Sequence, residues 1–211
     1  MKKFLLFCLG MMMCAALAAC GGVSHEEEIK SSVDAYFAGI QAGDYEQALT
    51  AAADDLTDNF GLSEISNVAN LTDETMGETY NSAANEFVKY FLQNSVKSYT
   101  IDSVEENEGQ ATVQISGSFI DAESALDGMN NVDMGTLFDE YAGEHMDELA
   151  QRAESDGEDA VTQAIIDACA PKLFEEMKSA VENAGTLETK MQMTLQENDG
   201  TWKITQIDEI A

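Results

Sequence analysis

Residues 187–204 carry the pattern that most restricts the fold. Leu187, Met191, Met193 and Leu195 alternate with Glu188, Lys190, Gln192, Thr194 and Gln196. Asn198-Asp199-Gly200 supplies a turn, and Trp202 and Ile204 resume the apolar side. A period of two places these apolar residues on one face of a strand pair, and a tight turn makes the pair antiparallel. Such a sheet is dry on one face and wet on the other, so another layer must cover the dry face.

Helical patterns upstream supply that layer. Ile29, Val33, Tyr36, Phe37 and Ile40 recur at helical spacing behind Ser24-His25-Glu26-Glu27, which reads as a capping box. Gly43 stops this helix, and Asp44 starts a second one with Gln47 as its capping partner. Residues 54–80 read as an irregular packed loop carrying Phe60, Leu62, Ile65, Val68 and Leu71. A third helix is expected from about Asn81 to Gln93, with Ala84, Phe87, Val88, Phe91 and Leu92 inward. The period then falls to two for Tyr99 and Ile101, and again for Val113, Ile115 and Phe119. A multi-residue turn at 105–109 joins these strands. Asp121 to Asn131 reads as a loop, and Met134, Leu137, Phe138, Tyr141, His145 and Leu149 mark a fourth helix. Val161, Ile165, Cys169, Leu173, Met177 and Val181 form the i+4 stripe of a fifth, which Pro171 is expected to kink or split. The expected fold is α+β: N-terminal helices on a curved antiparallel sheet of about four strands (two hairpins), with a helical pair over about 132–183 inserted between the hairpins.

The first twenty residues belong to a different grammar. Lys2 and Lys3 precede an uncharged apolar run from Phe4 to Ala19, too short for a comfortable bilayer crossing. Leu17-Ala18-Ala19-Cys20 resembles the bacterial lipobox. That resemblance implies cleavage before Cys20, a diacylglyceryl group on its sulfur, and a lipid-anchored protein at the extracytoplasmic face of the cell membrane. A Gram-positive envelope is preferred; in a Gram-negative one the absence of Asp at position 21 implies the outer membrane. The expected organisation is a signal peptide over 1–19, a lipidated tether over 20–23 and one domain over 24–211. Cys8 and Cys14 leave with the signal, so Cys169 is the one thiol left in the domain and no internal disulfide forms.

Val33-Asp34-Ala35-Tyr36-Phe37 followed by Ala42-Gly43-Asp44-Tyr45-Glu46-Gln47-Ala48, together with Asn198-Asp199-Gly200-Thr201-Trp202-Lys203-Ile204, is similar to the opening and closing segments of NTF2-like (cystatin-like) bacterial lipoproteins. The resemblance implies a curved sheet wrapped as a cone around helices, sometimes with an apolar pocket. Tyr36, His145, Met191 and Trp202 are the candidate pocket residues. Met134, Met177 and Met193 are also expected to face inward.

Charge narrows the partners. The chain holds 40 Asp+Glu against 10 Lys+Arg, a net charge of −30, and loss of Lys2 and Lys3 with the signal makes it −32. No basic patch exists to displace counterions from phosphate, so no nucleic acid is expected. A hydrophobic content of 45% excludes a disordered acidic tail. The acids do not fall in ligand order. No glycine sits sixth in an EF-hand loop, and Asp54, Asp55 and Asp58 read as a solvated loop rather than a cation site. His145 with Glu148 at i+3 is a two-ligand fragment, and His25-Glu26-Glu27-Glu28-Ile29 lacks the second histidine of a zinc helix. No nucleophile elbow, phosphate loop or dinucleotide fingerprint occurs. No cofactor or metal is expected. The residues predict a non-enzymatic protein that binds an envelope protein or a small ligand. The alternatives are a carrier of a small apolar ligand and an NTF2-like enzyme using His145.

Overall fold

The computed structural model describes residues 24–61 and 71–210. The lipobox, Cys20 and the loop residues Leu62, Ile65 and Val68 lie outside them. The elements in chain order are α1 (Glu26–Ala42), α2 (Tyr45–Leu49), β1 (Ala52–Asp58), α3 (Gly77–Ser95), β2 (Val96–Asn107), β3 (Gln110–Ile120), α4 (Ala122–Asn130), α5 (Met134–Glu144), α6 (Met146–Asp156), α7 (Glu158–Asn183), β4 (Thr186–Asn198) and β5 (Thr201–Ile210). They form an α+β fold on one open sheet in the order β1-β5-β4-β3-β2.

Five strands replace the expected four. β1 pairs in parallel with β5, and its register jumps between Ala52 and Thr57. Its sequence, Ala-Ala-Asp-Asp-Leu-Thr-Asp, has no alternation to announce it; pairing to the edge of β5 creates this strand. The other pairs are antiparallel. β2 and β3 continue to a two-residue turn at Glu108-Gly109 instead of a long loop, matching Asp199-Gly200 between β4 and β5. All four turn residues have positive φ, the geometry that fits the twist of a hairpin.

Across the sheet, Val113 faces Met193 and Ile115 faces Met191 on the inner side. α1 packs on that side through Ile29, Val33, Tyr36, Phe37 and Ile40, the stripe read from the sequence, and all are fully buried. Gly43 ends α1 at φ 75°, where a left-handed residue lets backbone N–H groups return to Gly39 and Ile40. Asp44 then caps α2 by accepting from the Gln47 N–H at 2.9 Å. The N-cap of α1 is His25, without a side-chain cap, so the expected capping box does not form.

The inserted helices begin earlier than expected and are more numerous. Residues 122–130, read as a loop, are α4, capped by Asp121 accepting from the Ser124 N–H at 3.0 Å. The expected fourth helix is two, α5 and α6, sharing His145 as the end of one and the start of the next. This break lets Leu137 and Leu149 both bury toward α7, where Cys169 and Leu173 are also buried. Pro171 neither splits nor ends α7. It sits on the exposed side, where an unpaired backbone carbonyl costs least. Met134, expected inward, is 50% exposed.

Phe174 joins this insertion to the main core. Its ring lies 5.8 Å from Phe87 and 5.2 Å from Tyr80, both on α3. Phe174→Ala is expected to cost about 3–5 kcal/mol, as large-to-small changes at packed aromatic positions do. Chemical denaturation read by the fluorescence of Trp202, which lies on β5 away from α7, checks this: the midpoint for the indole should fall although the substitution is on the insertion.

Candidate functional site

The most organised polar contact lies at the turn end of the sheet. Glu106, near the end of β2, holds His25 with both carboxylate oxygens. Its Oε2 accepts from the His25 backbone N–H at 3.0 Å, and its Oε1 lies 2.7 Å from His25 Nδ1. The His25 ring tilts over Trp202 at 5.9 Å, and Ser32 Oγ donates to the Trp202 carbonyl at 2.8 Å. The two hairpin turns are linked by the Glu197 N–H donating to the Gly109 carbonyl at 2.9 Å. The chain therefore enters the domain pinned to the hairpin tips. Nothing in the sequence announces a contact between residues 81 positions apart.

Beside it runs a groove of about 770 Å³ between β1, the end of α2 and the β4–β5 turn. Its lining includes Leu49, Ala52 and Ala53, with Asp54, Asp55 and Glu197 as its carboxylates. Lys203 is the groove's cation, and its Nζ donates to the Thr50 carbonyl. Such a lining, three carboxylates against one ammonium, attracts positive charge. The register jump of β1 lies in the same stretch as its acids. Asp58, grouped with them in the sequence, instead lines a separate cavity of about 650 Å³ with Glu123 and Asp127. Its Oδ1 accepts from the Phe60 and Gly61 N–H groups. Among the described residues, no group of three His, Cys, Asp or Glu is placed to hold a metal ion. A third cavity, of about 630 Å³, lies between α4 and α7 and is mixed in character, with Ser124, Asp133 and Glu176 beside Val132, Ala180 and Ala184 on its wall.

The four candidate pocket residues do not line any of these cavities. Tyr36 and Met191 are fully buried and Trp202 nearly so, all within the main core. His145 stands at the α5–α6 junction, its ring stacked 4.3 Å from Tyr141 and its Nδ1 3.4 Å from Glu148. The Tyr36 hydroxyl and the Trp202 indole N–H have no hydrogen-bond partner among the described residues. Burial, with the nearby Tyr45 and Asp58, pushes the Tyr36 phenol far above its ordinary value. Burial also raises the Cys169 thiol, whose Sγ lies 3.6 Å from the Leu137 carbonyl, so this cysteine is a small core residue.

No family model matches the chain, and no curated protein matches it. Among solved structures, one match is a designed NTF2-like protein carrying five substitutions. It is 9% identical, and the alignment covers 89% of this chain and 100% of that one, with a TM-score of 0.39.

Two outcomes test this geometry. Tyr36→Phe is expected to leave the melting temperature unchanged or raise it, by up to about 1 kcal/mol of stability, because it removes a buried hydroxyl that has no partner among the described residues. The hydrogen bond to Glu106 raises His25 above its ordinary 6.5, and the same bond lowers Glu106 below its ordinary 4.5. The imidazole's share of the clamp is complete below pH 6.5 and is lost as pH rises through the higher folded value. The carboxylate's share is complete above pH 4.5 and is lost as pH falls through the lower folded value. An NMR titration of the His25 ring should give a midpoint above 6.5, returning toward 6.5 in Glu106→Gln.

Proposed function

We propose that this chain is a lipid-anchored extracytoplasmic protein that binds, without chemistry, a positively charged partner at the cell envelope. The anchor reading rests on Leu17-Ala18-Ala19-Cys20. The binding reading rests on one observation: the 770 Å³ groove presents three carboxylates, and Lys203, the one cation among its lining residues, already donates to a backbone carbonyl. A lysine-rich segment or a polyamine supplies the missing charge, and a chain of net charge −32 after cleavage draws such partners by long-range attraction. An NTF2-like assignment is supported by the helix–Gly43–helix opening and by the closing hairpin with its buried Trp202.

The apolar-carrier alternative has less support, because the inner sheet face is filled by Tyr36, Phe37, Met191 and Met193, all fully buried. The His145 alternative has less still, because among the described residues that side chain is partnered by Tyr141 and Glu148 and borders none of the cavities described above.

Two measurements test the two halves. Growth with a clickable fatty acid should label the wild-type chain and not Cys20→Ala; equal labelling removes the anchor. Spermine titrated into the purified domain at low salt should bind, and Asp54→Asn/Asp55→Asn/Glu197→Gln should weaken it at least about tenfold, a loss of about 1.4 kcal/mol. Unchanged affinity in the triple variant removes the groove as the binding surface.

A further inference from the structure

We infer that the turn end of the sheet, formed by Glu106 to Gln110 and Glu197 to Thr201, is the surface this domain presents to the lipid bilayer, at a short stand-off. The inference rests on the lipid anchor at Cys20 proposed above. It uses the point where the described chain begins and what holds it there.

His25 is fixed to the turn end by both oxygens of Glu106, and its ring leans on Trp202. Ser24 follows Cys20 by four positions. An extended chain spans at most about 3.3–3.6 Å per residue, so the lipidated cysteine lies within about 14 Å of Ser24. β2 is 12 residues long, which puts Val96, Ile120 and Thr186 roughly 36 Å away along the strands. The tether therefore reaches the hairpin turns and cannot bring the far end to the membrane unless the domain lies on its side.

Charge decides between standing and adhering. Glu106, Glu108, Glu197 and Asp199 cluster at these turns and are repelled by anionic headgroups. Screening acts over about 8 Å at physiological ionic strength, which is less than the reach of the tether. The domain can stand with its acidic turns beyond the repulsive layer while the lipid remains inserted. The acids thus set a distance rather than an attachment. The groove of Asp54, Asp55 and Glu197 opens at this same end, so a basic partner would meet it close to the bilayer plane.

Site-specific fluorescence quenching in vesicles tests the orientation with the acylated full-length protein. Cys169 is 4% exposed, so the native domain offers no competing surface thiol. A fluorophore is placed at Thr201→Cys, beside a turn, or at Thr186→Cys, at the far end; both positions are exposed. The vesicles contain phosphatidylcholine and phosphatidylglycerol with a nitroxide on the headgroup. At physiological salt, position 201 should be quenched several-fold more than position 186. Lowering the salt to about 0.01 M, where screening extends to about 30 Å, should reduce the quenching at 201 as the turns are pushed outward. Glu106→Ala should shrink the contrast between the two positions while leaving acylation intact. Equal quenching, or stronger quenching at 186, in protein shown to be acylated overturns the orientation and leaves the anchor standing. Absence of lipid on Cys20 overturns both, and mass spectrometry of the same sample separates the two failures. An unchanged contrast in Glu106→Ala overturns the role of the clamp.

Discussion

The packing of α1 along the inner face of the sheet is the interaction on which the other elements depend. Its buried stripe runs from Ile29 to Ile40, and Phe37 is its centre, 4.2 Å from Tyr99 and 6.4 Å from Phe119 by ring centroids. This one side chain thereby joins α1 to β2 and β3. Each end of the helix is then tied down separately: His25 to Glu106 at the turn end, and Gln41 Nε2 to the Val96 carbonyl at the other. Gly39 allows α2 to press against α1, because any Cβ there would stand 2.4 Å from the Ala48 nitrogen. Without α1 the inner methionines and isoleucines of the sheet would face water, and β1 would lose the chain path that delivers it to β5.

The insertion is built on the same logic at one remove. α7 lies on α3 through Ala170, Phe174 and Val181, which belong to the main core. Leu137 and Leu149 bury against α7 beside Cys169 and Leu173, apart from that core. The insertion thus has one side that shares the stability of the sheet and one side with only a small cluster of its own. Motions slower than side-chain rearrangement should concentrate in α5 and α6, whose local burial is least.

Legibility in the sequence followed the range of the forces involved. The α1 stripe, the Gly43 stop and the turn at Asn198-Asp199-Gly200 are set by neighbours within a few residues, and they could be read directly. The face of α3 was readable for the same reason, although Val88 is only half buried. β1 could not be read, because Ala52 to Asp58 becomes a strand only when β5 offers it an edge. α4 was obscured by Gly128 and Asn130, poor helix formers that tertiary packing on α7 overrides. His145 looked like one more residue on a stripe, whereas the chain turns there. Of the site, the acids Asp54 and Asp55 were visible as a group. Their separation from Asp58, and the pairing of His25 with Glu106, depend on the finished sheet.

The acidic excess has a consistent place in this architecture. Carboxylates perform the local work of capping: Asp44, Asp73, Asp121 and Asp133 each accept from a backbone N–H at the start of a helix or turn. Where the centres of β3 and β4 pair on the outer face, by contrast, the side chains carry no acid, with Thr112, Gln114 and Ser116 opposite Thr194, Gln192 and Lys190. A chain this negative repels itself, and the repulsion grows with the number of acids brought together on folding. Placing uncharged Ser, Thr and Gln where strands crowd side chains to about 5 Å keeps like charges from being forced into cross-strand pairs. The acids fall chiefly on helix surfaces, caps, the edge strands β1 and β2 and the hairpin tips, where water screens them. The same distribution that lets the sheet form gathers Glu106, Glu108, Glu197 and Asp199 at the turn end, beside the groove proposed above to take a cation.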